Sequence, residues 1–127
     1  MLVVNASSGA SSIHGTGLFA REFLPAETLV WTLKPGFDVV LTRGQLDDLS
    51  RAAQEQIRRF LYVDIETGSF VLCSDDAKYM NHSETPNTRT FKDQAWTVCD
   101  VAPGQELTCD YREFDAVSRE RLESVSS

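Results

Sequence analysis

The chain has 127 residues, enough for one domain and too few for two. A hydrophobic fraction of 42% supports an ordinary packed core, and a formal charge of −7 argues against a nucleic-acid binder that works by neutralising phosphates. Three widely spaced cysteines, Cys73, Cys99 and Cys109, match neither a disulfide framework nor a zinc pattern, and no apolar run reaches membrane-spanning length, so a reducing, cytoplasmic setting away from membranes is expected.

In chain order, residues 7–12 are small and polar and read as a loop. Short β-type segments follow at 18–21, 28–33 and 37–41. Thr42 and Gln45 make a capping box that opens one helix. Leu46, Leu49, Ala53, Ile57 and Phe60 repeat at three and four residues along it, an apolar face suited to core packing. Strands at 62–65 and 70–73 flank a turn at Glu66-Thr67-Gly68-Ser69, and strands at 88–92 and 96–102 form a second hairpin around Asp93-Gln94. Pro103-Gly104 punctuates before a strand at 106–111, and a short helix at 117–125 closes the chain. The predicted class is mostly β, a β-rich α+β domain with one inserted helix.

Three segments carry polar chemistry outside helices. His14-Gly15-Thr16-Gly17-Leu18-Phe19-Ala20 places two glycines where backbone can approach a ligand, although a GxG also describes a plain turn. Asn81-His82-Ser83-Glu84-Thr85-Pro86-Asn87 is dense in hydrogen-bonding groups, and by itself it also fits a loop that satisfies its own backbone. Gln105-Glu106-Leu107-Thr108-Cys109-Asp110-Tyr111 ends a strand on an acid and a tyrosine, which any edge strand can do.

Taken together and in this order, the three segments resemble the SET-domain lysine methyltransferases. GTGLFA is similar to the family's GxG(L/V/I)FA, NHSETPN to its NHSxxPN, and PGQELTCDY to its GEELTxDY. The resemblance implies a fold of short curved strands in several small sheets, with the C-terminal segment threaded under an earlier loop as a pseudoknot. It makes residues 1–127 a single domain with a core at 13–114 and a tail or lid at 115–127. It implies S-adenosylmethionine as cofactor, held by His14, Gly15, Thr16, Gly17, Asn81, His82 and Tyr111, with Tyr111 also catalytic. Tyr62 and Phe114 would meet the substrate, a protein or peptide lysine, with a basic segment such as a histone tail expected from the acidic charge. Many relatives carry a cysteine after NHS and a cysteine-rich tail that share a zinc ion. Here the matching position is Glu84 and the tail holds no cysteine, so no zinc is expected and the tail or a second subunit must close the site. The chain is expected to act as a monomer or homodimer. A module that binds peptide or cofactor without catalysis is the alternative, and a plain β-rich interaction domain is a third.

Overall fold

In the computed structural model, residues 1–126 are described, with side chains through Leu122. Three small sheets carry the fold. The first has the order β1 (Ala6–Ala10), β2 (Thr16–Ala20), β10 (Glu106–Cys109), β7 (Asn81–His82). The second joins β3 (Leu29–Thr32), β9 (Gln94–Thr97) and β8 (Thr88–Phe91), and the third joins β4 (Val39–Leu41), β6 (Phe70–Leu72) and β5 (Tyr62–Val63). Leu18, Ala20, Leu24, Val30, Val101 and Leu107 are almost wholly enclosed and form the core between these sheets. Each large one contributes about 1.5–3 kcal/mol by leaving water. Leu107 of β10 lies opposite Leu18 of β2, so the C-terminal strand is clamped by the core as well as by its ladder.

Two expectations are corrected. The Ser-rich stretch at 7–12 is not a loop over most of its length: β1 pairs residue by residue with β2, from Ala6 opposite Ala20 to Ala10 opposite Thr16. Backbone hydrogen bonds hold this strand, and its small side chains suit the approach of Phe19, whose ring would lie 3.2 Å from a β-carbon on Gly9. The inserted helix is two helices, α1 (Arg43–Asp47) and α2 (Arg51–Ile57), followed by a 3-10 turn, Arg58–Phe60. Thr42 and Gln45 do form the capping box, but Ser50 then acts as a second N-cap, accepting from the Ala53 amide at 3.1 Å. As a result only Leu46 of the apolar stripe is buried, and α2 buries no residue fully.

Most remaining elements lie close to their expected positions, but the strand expected at 96–102 is β9, Gln94–Thr97, and ends five residues earlier. The second hairpin turns on Lys92 and Asp93, both at positive φ (48° and 63°), one residue earlier than the sequence suggested. The closing helix is α3 (Ala116–Ser126). Among the described residues no helix is long and apolar enough to cross a membrane.

The N-terminal segment is tied down by Asp38. Its carboxylate is enclosed and receives the Met1 ammonium at 2.8 Å and the amides of Lys34 (2.9 Å) and Ser74 (3.2 Å). Burial alone would raise its pKa, but these donors outweigh burial and hold it below the usual carboxylate range. Because the folded value is depressed, the stabilisation is complete above the unfolded value of about 3.9 and is lost as pH falls through the folded one. Asp38→Asn should therefore cost about 3 kcal/mol at neutral pH, with the gap closing towards about pH 2. Urea unfolding of both proteins at the two pH values measures this, and an equal gap at both would rule it out.

Candidate functional site

The site begins where two polar segments pair. β7 and β10 run parallel, with Asn81 beside Thr108 and His82 beside Cys109. Asn87 works like an extra peptide unit: its Oδ1 accepts from the Thr108 amide at 2.8 Å and its Nδ2 donates to the Glu106 carbonyl at 2.8 Å. The Thr88 hydroxyl donates to the Thr108 carbonyl at 2.7 Å. Each segment thus satisfies the other's buried backbone, as the resemblance implied.

Asn81 is itself buried and points its amide at the glycine loop. Nδ2 lies 3.1 Å from the His14 carbonyl, 3.2 Å from the Thr16 carbonyl and 2.9 Å from Glu106 Oε2. The Ser11 hydroxyl donates to the same carboxylate, 2.7 Å from Oε1. The two glycines have different reasons to be there. Gly15 has φ +45° and open space around it, so conformation requires it. Gly17 has no such φ, but a β-carbon there would sit 2.4 Å from Glu106 Oε2. Space requires the second glycine.

Tyr111 opens a 3-10 turn, Tyr111–Glu113, directly after β10. Its backbone amide donates to His82 Nδ1 at 3.1 Å, which places the ring hydrogen on Nε2, 3.1 Å from Glu84 Oε1. Glu84 Oε2 in turn meets Arg112 at 2.8 Å, and Arg112 grips Asp110 through two nitrogens. The hydrogen bond from His82 and the Arg112 charge hold the Glu84 carboxyl below its usual range. Hydrogen bonds from Arg112 do the same for Asp110 against its partial burial. At the other end of the residue, the Tyr111 hydroxyl donates to the Met80 carbonyl at 2.8 Å. Burial pushes this phenol up to about 12, so it stays neutral at physiological pH.

Two cavities meet at Tyr111. The smaller, about 280 Å³, is lined by His14, Gly15, Thr16, Asn81, Lys78 and Tyr111 among others. The larger, about 590 Å³, has Tyr62, Met80, Cys109, Tyr111 and Phe114 in its wall. Phe114 stands edge-on to both tyrosines, with ring centres 5.0 Å from Tyr62 and 5.9 Å from Tyr111. Burial pushes the Tyr62 phenol far above its usual value, the Cys109 thiol likewise, and the Cys73 thiol up to about 12. These phenol and thiol groups of the wall are therefore neutral and unreactive. Leu46 of α1 and Val117 and Ser118 of α3 complete parts of the larger cavity.

The profile of the SET domain matches residues 15–112. The chain belongs to the SET-domain family. Its fold is shared with a candidate histone methyltransferase of Plasmodium falciparum, at TM-score 0.59 and 16% identity over 85% of this chain and 93% of that one. A humanised mutant of the Chaetomium thermophilum Polycomb Repressive Complex 2 bound to an inhibitor matches at TM-score 0.63 and 21% identity. Apo ctPRC2 with two substitutions in Ezh2 matches at TM-score 0.66 and 20% identity. This SET chain covers 16% of the chain matched in each of these two structures and is itself covered to 91% and 93%.

Of the residues that sequence reasoning singled out in this SET domain, His14 to Thr16, Asn81 and Tyr111 surround the smaller cavity, while Gly17 does not line it and abuts Glu106. Tyr62 and Phe114 join Tyr111 at the larger one. His82 lines neither cavity: its ring supports Tyr111 from behind. Glu106, Ser11 and Arg112 were missed as site residues. Glu106 sits inside the quoted ELTCDY motif, but only the structure shows it filling the space that Gly17 leaves. Gly17→Ala and Glu106→Ala should therefore be coupled, because removing the carboxylate removes what the new methyl strikes. We expect Gly17→Ala alone to cost about 1–3 kcal/mol and the double variant to cost less than the sum of the singles. Strict additivity in denaturation would show that the contact is not what selects glycine.

Proposed function

We propose that this SET-domain protein is an S-adenosylmethionine-dependent protein-lysine methyltransferase. The observation that carries the reading is Tyr111, which lines both cavities and so occupies the place where a donor and an acceptor substrate would meet. The smaller cavity suits the amino-acid end of the cofactor: backbone of the glycine loop lies on one side, and Arg59 and Lys78 offer cations to a carboxylate. When bound, S-adenosylmethionine supplies an electrophilic methyl group on a cationic sulfur.

The chain's residues supply position and dryness. Tyr62 and Phe114 flank an apolar path for a lysine stem. A lysine amine has a reference pKa of about 10.4 and attacks only when neutral, and removal from water favours that form. Because the Tyr111 hydrogen is committed to the Met80 carbonyl, the phenolic oxygen faces the site as an acceptor. It can take an N–H of the amine and so aim the lone pair. With its own pKa raised, it does not serve as the base that discharges the lysine. The proton leaves before the amine is seated, and turnover should rise with pH above neutrality.

Tyr111→Phe tests the reading against a module that only binds. It keeps the ring and its contacts with Phe114 but deletes the aimed oxygen. Methyl transfer at saturating peptide should fall by about a hundredfold or more, while S-adenosylmethionine affinity by calorimetry changes far less. Near-normal transfer would remove Tyr111 from the mechanism, and absence of transfer in the unaltered protein would leave the binding module. Phe114→Tyr adds a hydroxyl beside Tyr62 and Tyr111, so products should shift towards monomethyl-lysine in mass spectra. An unchanged product ratio would separate Phe114 from that role.

A further inference from the structure

The whole chain carries −7, which by itself suggests a basic partner. The larger cavity is charged the other way. Arg43 of α1, Arg58 and Arg59 after α2, and Arg121 of α3 line it, with Lys78 at the border with the smaller cavity. Arg43, Arg58, Arg59 and Lys78 form no ion pair among the described residues. Three of these cations rest on aromatic faces instead: Arg43 lies 5.0 Å from the Phe70 ring centre, Arg59 4.7 Å from Phe60, and Lys78 5.4 Å from Phe60. A ring holds a cation in place without cancelling its charge.

Among the described residues only two acids line the same cavity, Asp93 and Asp115. Asp115 is spent internally, with Oδ1 accepting from the Val63 amide at 3.0 Å and Oδ2 from the Ser118 hydroxyl at 2.5 Å. Asp93 lies against Asp64, and burial together with that neighbour pushes it up to about 6, but at neutral pH it remains mostly an anion, outnumbered by the cations of the wall. The acids of the helical insertion, Asp47, Asp48 and Glu55, do not line the cavity, and Glu55 is paired with Arg51 at 3.3 Å.

From this placement we infer that the segment bearing the target lysine is acidic, with Asp or Glu beside the lysine, and that it docks against Arg43 and Arg58. The inference rests on the methyltransfer reading and narrows its substrate class away from basic tails. Range decides which charges matter. At physiological salt the screening length is about 8 Å, so remote surface acids are muted for a bound peptide while the cavity's arginines touch it. The same arginines disfavour a charged amine entering between them, which helps deliver the lysine neutral.

The test uses two fluorescent peptides of matched sequence, each with a single lysine, one flanked by Glu and Asp and the other by Arg. Anisotropy with the full chain and S-adenosylhomocysteine reads docking, and labelled methyl transfer is followed in parallel. The acidic peptide should bind about tenfold tighter or more, with the margin shrinking between about 0.01 and 0.15 M salt. Arg43→Glu with Arg58→Glu should erase or reverse that order, and the gentler Arg43→Gln with Arg58→Gln should narrow it if the reversal does not fold. Equal binding, or preference for the Arg-flanked peptide, would overturn the inference even if both peptides were methylated. Acid-selective binding with transfer to neither peptide would uphold the docking surface and sink the methyltransferase reading alone.

Discussion

The side-chain amide of Asn81 has two hydrogens and four oxygen acceptors within 3.2 Å: Ser11 Oγ, the carbonyls of His14 and Thr16, and Glu106 Oε2. They come from a loop near the N-terminus and a strand near the C-terminus, so one buried group fastens both ends of the chain around β7. A buried amide left without partners costs about 1–3 kcal/mol, and a carboxylate more, which makes the arrangement stable only as a complete set. The sheet order follows from it. β10 can lie between β2 and β7 because its Glu106 has a place to go, and that place exists because residue 17 has no side chain.

From the same anchor the site's geometry propagates along the chain. β7 continues from Asn81 into His82, whose Nδ1 receives the Tyr111 amide, while the carbonyl just before Asn81, that of Met80, receives the Tyr111 hydroxyl. Tyr111 is therefore held at both its backbone and its ring tip by the two residues that flank Asn81. The pair Glu84–Arg112 closes the ring of contacts from outside, and Arg112 joins it to Asp110. Exposed ion pairs of this kind are individually weak, but a bidentate arginine shared by two carboxylates has the geometry that makes such a pair count.

Much of this was legible before the fold was known, for definable reasons. Strands at 28–33, 70–73 and 106–111 were visible because apolar residues alternate in short runs. What periodicity could not register was the break at Ser50: Leu46, Leu49, Ala53, Ile57 and Phe60 keep helical spacing across it, and only the serine's role as a second cap separates α1 from α2. β1 escaped because its residues are small and polar, so its strand character lies in backbone pairing with β2. The motifs named Gly17 and Glu106 separately; that one is the other's empty space is a tertiary fact with no one-dimensional signature. His82 was expected to hold cofactor, whereas its ring accepts from the Tyr111 backbone amide and lines neither cavity.

Charge shows the widest gap between sequence and structure. A sum over 127 residues treats Asp47 on the helical insertion and Asp38 beneath the Met1 ammonium as equal to any carboxylate at the site, although one lies off the cavity and the other is neutralised. Recognition depends on the few charges a ligand displaces water from, and those decay over a distance shorter than the domain. Around the larger cavity the phenols and thiols are held neutral by burial, so arginines set the sign almost alone. The division has a chemical logic. Under the proposed methyl transfer, a wall in which cations outnumber acids does little to stabilise an ammonium, and guanidinium groups at its mouth would repel the charged form while attracting acids that flank it.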